Sequence, residues 1–111
     1  MNFYTQLEES LKEFEDGVRL LLKSPSLITA LRVNLRSLDI KDLFQGIESQ
    51  EGKIPLIFAT RYKSYVKSCL DKFREIMPGL NGDTRHVDLY IEQMRGRVLL
   101  VNRMKHYHME D

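Results

Sequence analysis

Apolar residues recur along this chain at intervals of three or four. Phe3, Leu7, Leu11, Phe14, Val18 and Leu21 form one such series; Phe58, Tyr62, Val66, Cys69, Phe73 and Ile76 form a second; Val87, Ile91, Met94, Val98 and Val101 form a third. Side chains three and four apart share one face of an α-helix, so each series predicts an amphipathic helix whose apolar stripe needs a cover. The first helix is expected from Asn2 or Thr5 to about Lys23, with Thr5 and Glu8 at capping-box spacing. Ser24-Pro25-Ser26 breaks it, because proline disfavours a helical residue before it.

From Ser26 to Ser37 the pattern blurs: Leu27, Ile28, Leu31, Val33 and Leu35 suggest a helix without a clean stripe. Ile40, Leu43, Phe44 and Ile47 then restore helical spacing in a short helix, separate or joined to the one before after a bend. A polar loop is expected over 48–54, and Pro55 suits the first turn of the next helix, where its missing N–H costs nothing. Pro78-Gly79 ends that helix, Asn81-Gly82 continues the turn, and Asp83 is placed to cap the last helix, which reaches about Met104. Gly96 interrupts that last helix at a cost of about 1 kcal/mol relative to alanine, through a close helix approach or a kink. No segment alternates like a half-buried strand; Ile54–Ala59 comes nearest. The expected fold is all-α: an antiparallel bundle of three long helices plus one or two short ones, in a single domain over 1–111.

Composition narrows the function more than it names one. The net charge of +1 favours no class of partner, but residues 53–77 hold six bases against two acids. Lys63, Lys67 and Arg74 lie near one another on that helix, with Tyr62 and Tyr65 between them, and Arg95 and Arg97 flank Gly96. Such cations would attract phosphate in a salt-dependent way, so nucleic-acid binding is the main alternative function. A pI near 7.9 lies below the strongly basic range of dedicated nucleic-acid domains. Cys69 is the only cysteine, which excludes an internal disulfide; on an apolar stripe it reads as a buried thiol suited to a reducing cytoplasm. No apolar run approaches the roughly 18 residues of a membrane span, and the acidic start is unlike a secretion signal.

Signals for chemistry are few. His106 and His108, two residues apart, would point to different sides of a helix, and His86 stands alone, so no metal is expected. Glu8, Glu9, Glu13, Glu15 and Asp16 lack the Glu-x-x-His pairs of di-iron bundles and read as a solvated face. The Pro78–Asp83 segment lacks the Gly-Lys-Ser/Thr ending of a phosphate loop, and no nucleophile elbow or dinucleotide fingerprint occurs, so no cofactor is expected. Arg103 and His108, four residues between them, form a pattern similar to the R-x4-6-H motif of the HEPN ribonucleases, which are also small helical bundles. That resemblance implies acid–base work for His108 and stabilisation of phosphate charge by Arg103 at a dimer interface.

The sequence therefore predicts a non-catalytic, cytoplasmic interaction or regulatory module. It would bind a protein partner of unstated identity and self-associate, with nucleic-acid binding, then HEPN-like cleavage, as alternatives. Ile40, Leu43, Phe44 and Ile47 are the expected docking residues if they face outward, joined by Leu20, Leu22, Leu99 and Leu100, which widen their stripes.

Overall fold

In the computed structural model, which describes residues 3–51, 54–76, 85–104 and 107–108, four long helices follow one another: α1 (Phe3–Lys23), α2 (Leu27–Glu51), α3 (Leu56–Ile76) and α4 (Arg85–Arg103). Two two-residue strands, β1 (Ile54–Pro55) and β2 (Tyr107–His108), pair in parallel, Ile54 with Tyr107 and Pro55 with His108. The all-α bundle is as expected, but in place of the one or two short helices anticipated between the first and second long ones stands a single long helix of 25 residues. Where a loop was expected from residue 48, α2 continues to Glu51, and β1 occupies the place where a strand signal came nearest. The turn from Pro78 to Gly82, the Asp83 cap, Lys53 and His106 lie outside the described residues.

Local chemistry accounts for the first helix boundary. Ser26 caps α2: its hydroxyl accepts the Thr29 N–H at 3.1 Å while the Thr29 hydroxyl accepts the Ser26 N–H at 3.0 Å. This is a reciprocal capping box with threonine in place of the usual Glu or Gln. Glu8 does not serve the same purpose for Thr5; its carboxylate is turned to Arg61 on α3, 2.6 Å away.

The helices form two hairpins. In the first, Glu13 meets Arg36, Gly17 meets Val33 and Gly46 meets Phe3, so α1 and α2 run in opposite directions. A β-carbon at Gly46 would lie 3.0 Å from the Phe3 ring, so the close approach of helix and ring there depends on glycine. In the second, Lys63 of α3 meets Asn102 of α4, and Val66, Leu70, Val98 and Leu99 share one groove. Between hairpins the directions agree: α1 and α3 pair Tyr4 with Phe58 and Arg19 with Tyr65, while α2 and α4 pair Asn34 with Gln93. The order around the bundle is α1, α2, α4, α3, so the α1–α2 face and the α3–α4 face lie on opposite sides.

The core fills the space between the hairpins. Tyr62 stands at its centre, its ring 5.7 Å from Phe14 and 5.5 Å, edge-on, from Phe44. Leu7, Leu11, Val18, Leu21, Val66, Cys69, Phe73, Val87 and Met94 complete the expected stripes and are fully buried. Ile40, Phe44 and Ile47 belong to the same core at 0% exposure, with Leu43 packed half-buried against it. As folded, they seal the monomer and offer no outward docking face, because α2 turns this side toward α1 and α3.

Candidate functional site

Two polar locks join the hairpins, one on each flank. On the α1–α3 flank, Arg61 donates two hydrogen bonds to Glu15, at 2.8 and 3.2 Å, and a third to Glu8. Glu15 is buried among α1's apolar neighbours, so this carboxylate belongs to the interior and not to a solvated acidic face. The Arg61 guanidinium is held above its ordinary range, chiefly by the Glu15 hydrogen bond, with burial opposing and Glu8 adding. Glu13 and Asp16 face outward and pair with Arg36 and Arg19. Among the described residues no cluster of His, Cys, Asp and Glu is arranged to hold a metal.

On the α2–α4 flank, Arg97 donates to the Asn34 backbone carbonyl at 2.6 Å and to Asn34 Oδ1 at 2.9 Å, and Asn34 donates to Gln93 at 2.9 Å. Arg97 is 9% exposed, so it is an interior tie and not a surface contact for phosphate. Burial lowers its pKa, while the Tyr62 hydroxyl and Asp42 pull the other way. Two residues along a helix turn a side chain by about 200°, which is why Arg95 is on the surface and Arg97 inside.

Buried titratable groups in the centre are satisfied in place. The Tyr62 hydroxyl is 2.7 Å from the Ser37 hydroxyl; burial pushes its pKa up to about 12, with the Ser37 bond opposing. Burial alone raises the Cys69 thiol to about 12, so it stays protonated and unreactive at neutral pH, as its place on the stripe suggested. Arg103 is the exposed last residue of α4 and His108 lies in β2, so helical spacing no longer relates them. The side chain of His108 lies outside the described residues.

Among the described residues two larger surfaces stand out, one on each hairpin, beside a groove of about 170 Å³ between α2 and α4 lined by Leu27, Ile28, Leu31, His86 and Tyr90. The first is the outer side of α2, opposite its core face. Ile28, Leu31, Leu35 and Leu38 follow one another at three, four and three residues, the spacing of a coiled-coil seam. Ile28, Leu31 and Leu35 are 66%, 40% and 50% exposed. Leu35 and Leu38 join Leu20 of α1 in an open groove of about 740 Å³ whose edges carry both signs: Glu13, Asp16 and Asp39 against Arg32 and Arg36. Arg36 already bridges Glu13 at 3.1 Å and Asp39 at 3.6 Å.

The second surface is the groove between α3 and α4, about 320 Å³ and open to solvent. Val66, Leu70, Val98 and Leu99 make its floor, and Leu99 is 55% exposed. Lys63, Lys67 and Arg95 line its edges, and among the described residues no acidic side chain does. Lys63 donates to Asn102 at 3.0 Å. Among the described residues, Lys67 and Arg95 have no ion-pair partner. The structure thus brings together three of the five cations singled out in the sequence. Arg74 lies seven residues beyond Lys67, about 10 Å along the axis, with Asp71 3.9 Å away. Leu22 is exposed and Leu100 half-buried, both outside these grooves. No helix among the described residues is long and apolar enough to cross a membrane.

Comparison with protein-family models, with curated proteins and with solved structures gives no match.

Proposed function

We propose that this chain is a small, non-catalytic helical interaction module of the reducing cytoplasm, which regulates by binding a protein partner and pairs with a second copy of itself. One observation carries the reading: α2 has two apolar faces, and the monomer covers only one. An exposed seam at three-four-three spacing is costly to leave in water, and a facing helix covers it by inserting its own side chains between those of the seam. A two-fold axis brings the same patch against itself, so the patch must be self-complementary. Arg32 and Arg36 beside Glu13, Asp16 and Asp39 give the α2 surface a border of both signs, which supports self-pairing.

Sedimentation over a wide concentration range tests the reading. Pairing that is lost in Leu31→Glu/Leu35→Glu supports it; a wild-type chain that stays monomeric at high micromolar concentration removes the self-association. For partner binding, a benzophenone amino acid at position 99, irradiated in the native host, is expected to crosslink a protein. Adducts with nucleic acid alone would favour the second reading, in which Lys63, Lys67 and Arg95 hold phosphate from one shared face.

A further inference from the structure

We infer that the groove between α3 and α4 is a docking site for an acidic amphipathic helix of another protein. The floor and the edges ask for different things of one ligand. Leu70, Val98 and Leu99 gain only from apolar atoms, whereas Lys67 and Arg95 gain from anions on either side of them. A phosphate backbone satisfies the edges and leaves the floor in water. A helix with leucines along one face and glutamates beside them satisfies both, and from Lys63 to Leu70 the groove runs about 10 Å, two turns of such a helix. A second copy docking through the same face would set Lys67 and Arg95 against their own kind, so the occupant is a different chain.

Gly96 supplies an independent observation. The helix pays for an interior glycine in stability, and Gly46 has a packing reason in the Phe3 ring, while a β-carbon at Gly17 would make ordinary contact with Val33. At Gly96 a β-carbon would meet nothing within 4 Å, so the fold of the isolated chain does not require glycine there. It is exposed, next in sequence to Arg95 and three residues before Leu99, both of which line the groove. A missing side chain at that place lets a partner's backbone come close.

The inference rests on the interaction reading above but not on the α2 seam, so its test uses the full chain carrying Leu35→Glu, which removes self-pairing from the measurement. Three fluorescent peptides of about 20 residues serve as probes: one with leucines at i, i+3, i+4 and i+7 flanked by glutamates, one with lysines for the glutamates, and one with serines for the leucines. A single-stranded RNA of similar length is the fourth. Anisotropy at low salt is expected to show the Glu–Leu peptide bound, with the Lys–Leu and Glu–Ser peptides at least about tenfold weaker. Lys67→Glu/Arg95→Glu inverts the preference between the first two. Gly96→Leu weakens binding of the Glu–Leu peptide about tenfold with an unchanged circular dichroism spectrum, and Gly96→Ala raises the melting temperature. Amide shifts on binding map to 63–70 and 95–99, which locates the site independently of any variant. No binding of the Glu–Leu peptide, equal binding by the charge-reversed variant, or tighter binding of the RNA at these amides overturns the inference. A protein crosslinked from position 99 alongside any of those results leaves the interaction reading standing and removes only this choice of partner.

Discussion

The outer side of α2 and the groove between α3 and α4 are alike in apolar character and opposite in charge. Each presents exposed aliphatic side chains, Leu31 and Leu35 on one and Leu99 on the other, on a helix whose remaining stripe is buried. Around the first, acids and bases alternate and several are already paired; around the second, every charge among the described lining residues is positive. Apolar area supplies a general drive to associate, and it does not discriminate. Charge decides what is tolerated opposite: a mixed border fits a copy of itself, a cationic border rejects one. Two surfaces on opposite hairpins with different partner rules would let one small chain join a self-made pair to a foreign helix.

The contrast depends on the hairpins staying together, and the largest effects should come from the ties between them. Arg61→Ala leaves Glu15 buried without its partner, and the loss is expected to be about 3 kcal/mol in the free energy of unfolding by urea. Both surfaces should then fail together, because the hairpin order that separates them is lost. An Arg61→Ala chain with unchanged stability would show that the hairpins hold by packing alone.

Raising the pH should loosen the same interior. The Cys69 thiol and Tyr62 hydroxyl are neutral when protonated, and burial lifts both to about 12 from ordinary values of 9.0 and 10.0. Between those limits the unfolded chain releases protons that the folded chain keeps, so their contribution is full below pH 9 and declines as pH rises toward 12. At pH 11 the loss from the two groups together is on the order of 4 kcal/mol relative to pH 8. Melting temperatures that hold level from pH 9 to pH 11 would contradict it. Tyr62→Phe at neutral pH is the next smaller perturbation: it leaves the Ser37 hydroxyl without its 2.7 Å partner and should cost about 1–2 kcal/mol. Adding Ser37→Ala should recover part of that in the same denaturation experiment.

These interior residues also show how far the sequence could be read. The stripes of α1, α3 and α4 were legible because each helix buries one face, so its apolar residues keep a single phase. The α2 pattern was not, because Ala30, Val33, Ile40 and Phe44 line one side while Ile28, Leu31 and Leu35 line the other. Two stripes half a turn apart cancel each other's periodicity, and the blur that obscured the helix is the mark of its second face. Ile40, Phe44 and Ile47 showed the right spacing for an amphipathic face, but spacing does not say whether a face turns inward. Lys63, Lys67 and Arg95 were recognisable as cations, while the groove they share exists only once α3 lies against α4. Helical phase sets Arg95 and Arg97 on different sides but does not say which turns inward; Asn34, 63 residues away, makes Arg97 an interior residue. Glu15 was hidden in the same way, since Arg61 reaches it across a helix pair that is not consecutive in the chain.

The smallest effects on folding should come from the surfaces themselves, and they test the comparison most directly. Leu31→Glu/Leu35→Glu and Lys67→Glu/Arg95→Glu change side chains that the isolated bundle leaves in water. Each substitution should alter the stability of a dilute sample by no more than about 0.5 kcal/mol. The two pairs should nonetheless separate in function: the first removes self-pairing in sedimentation and leaves binding of the acidic peptide intact, and the second does the reverse. A loss of about 2 kcal/mol from the leucine pair in a dilute sample would mean that the seam supports the monomer itself. In that case α2 would have one extended core face instead of two, and its outer side would no longer stand as a counterpart to the cationic groove.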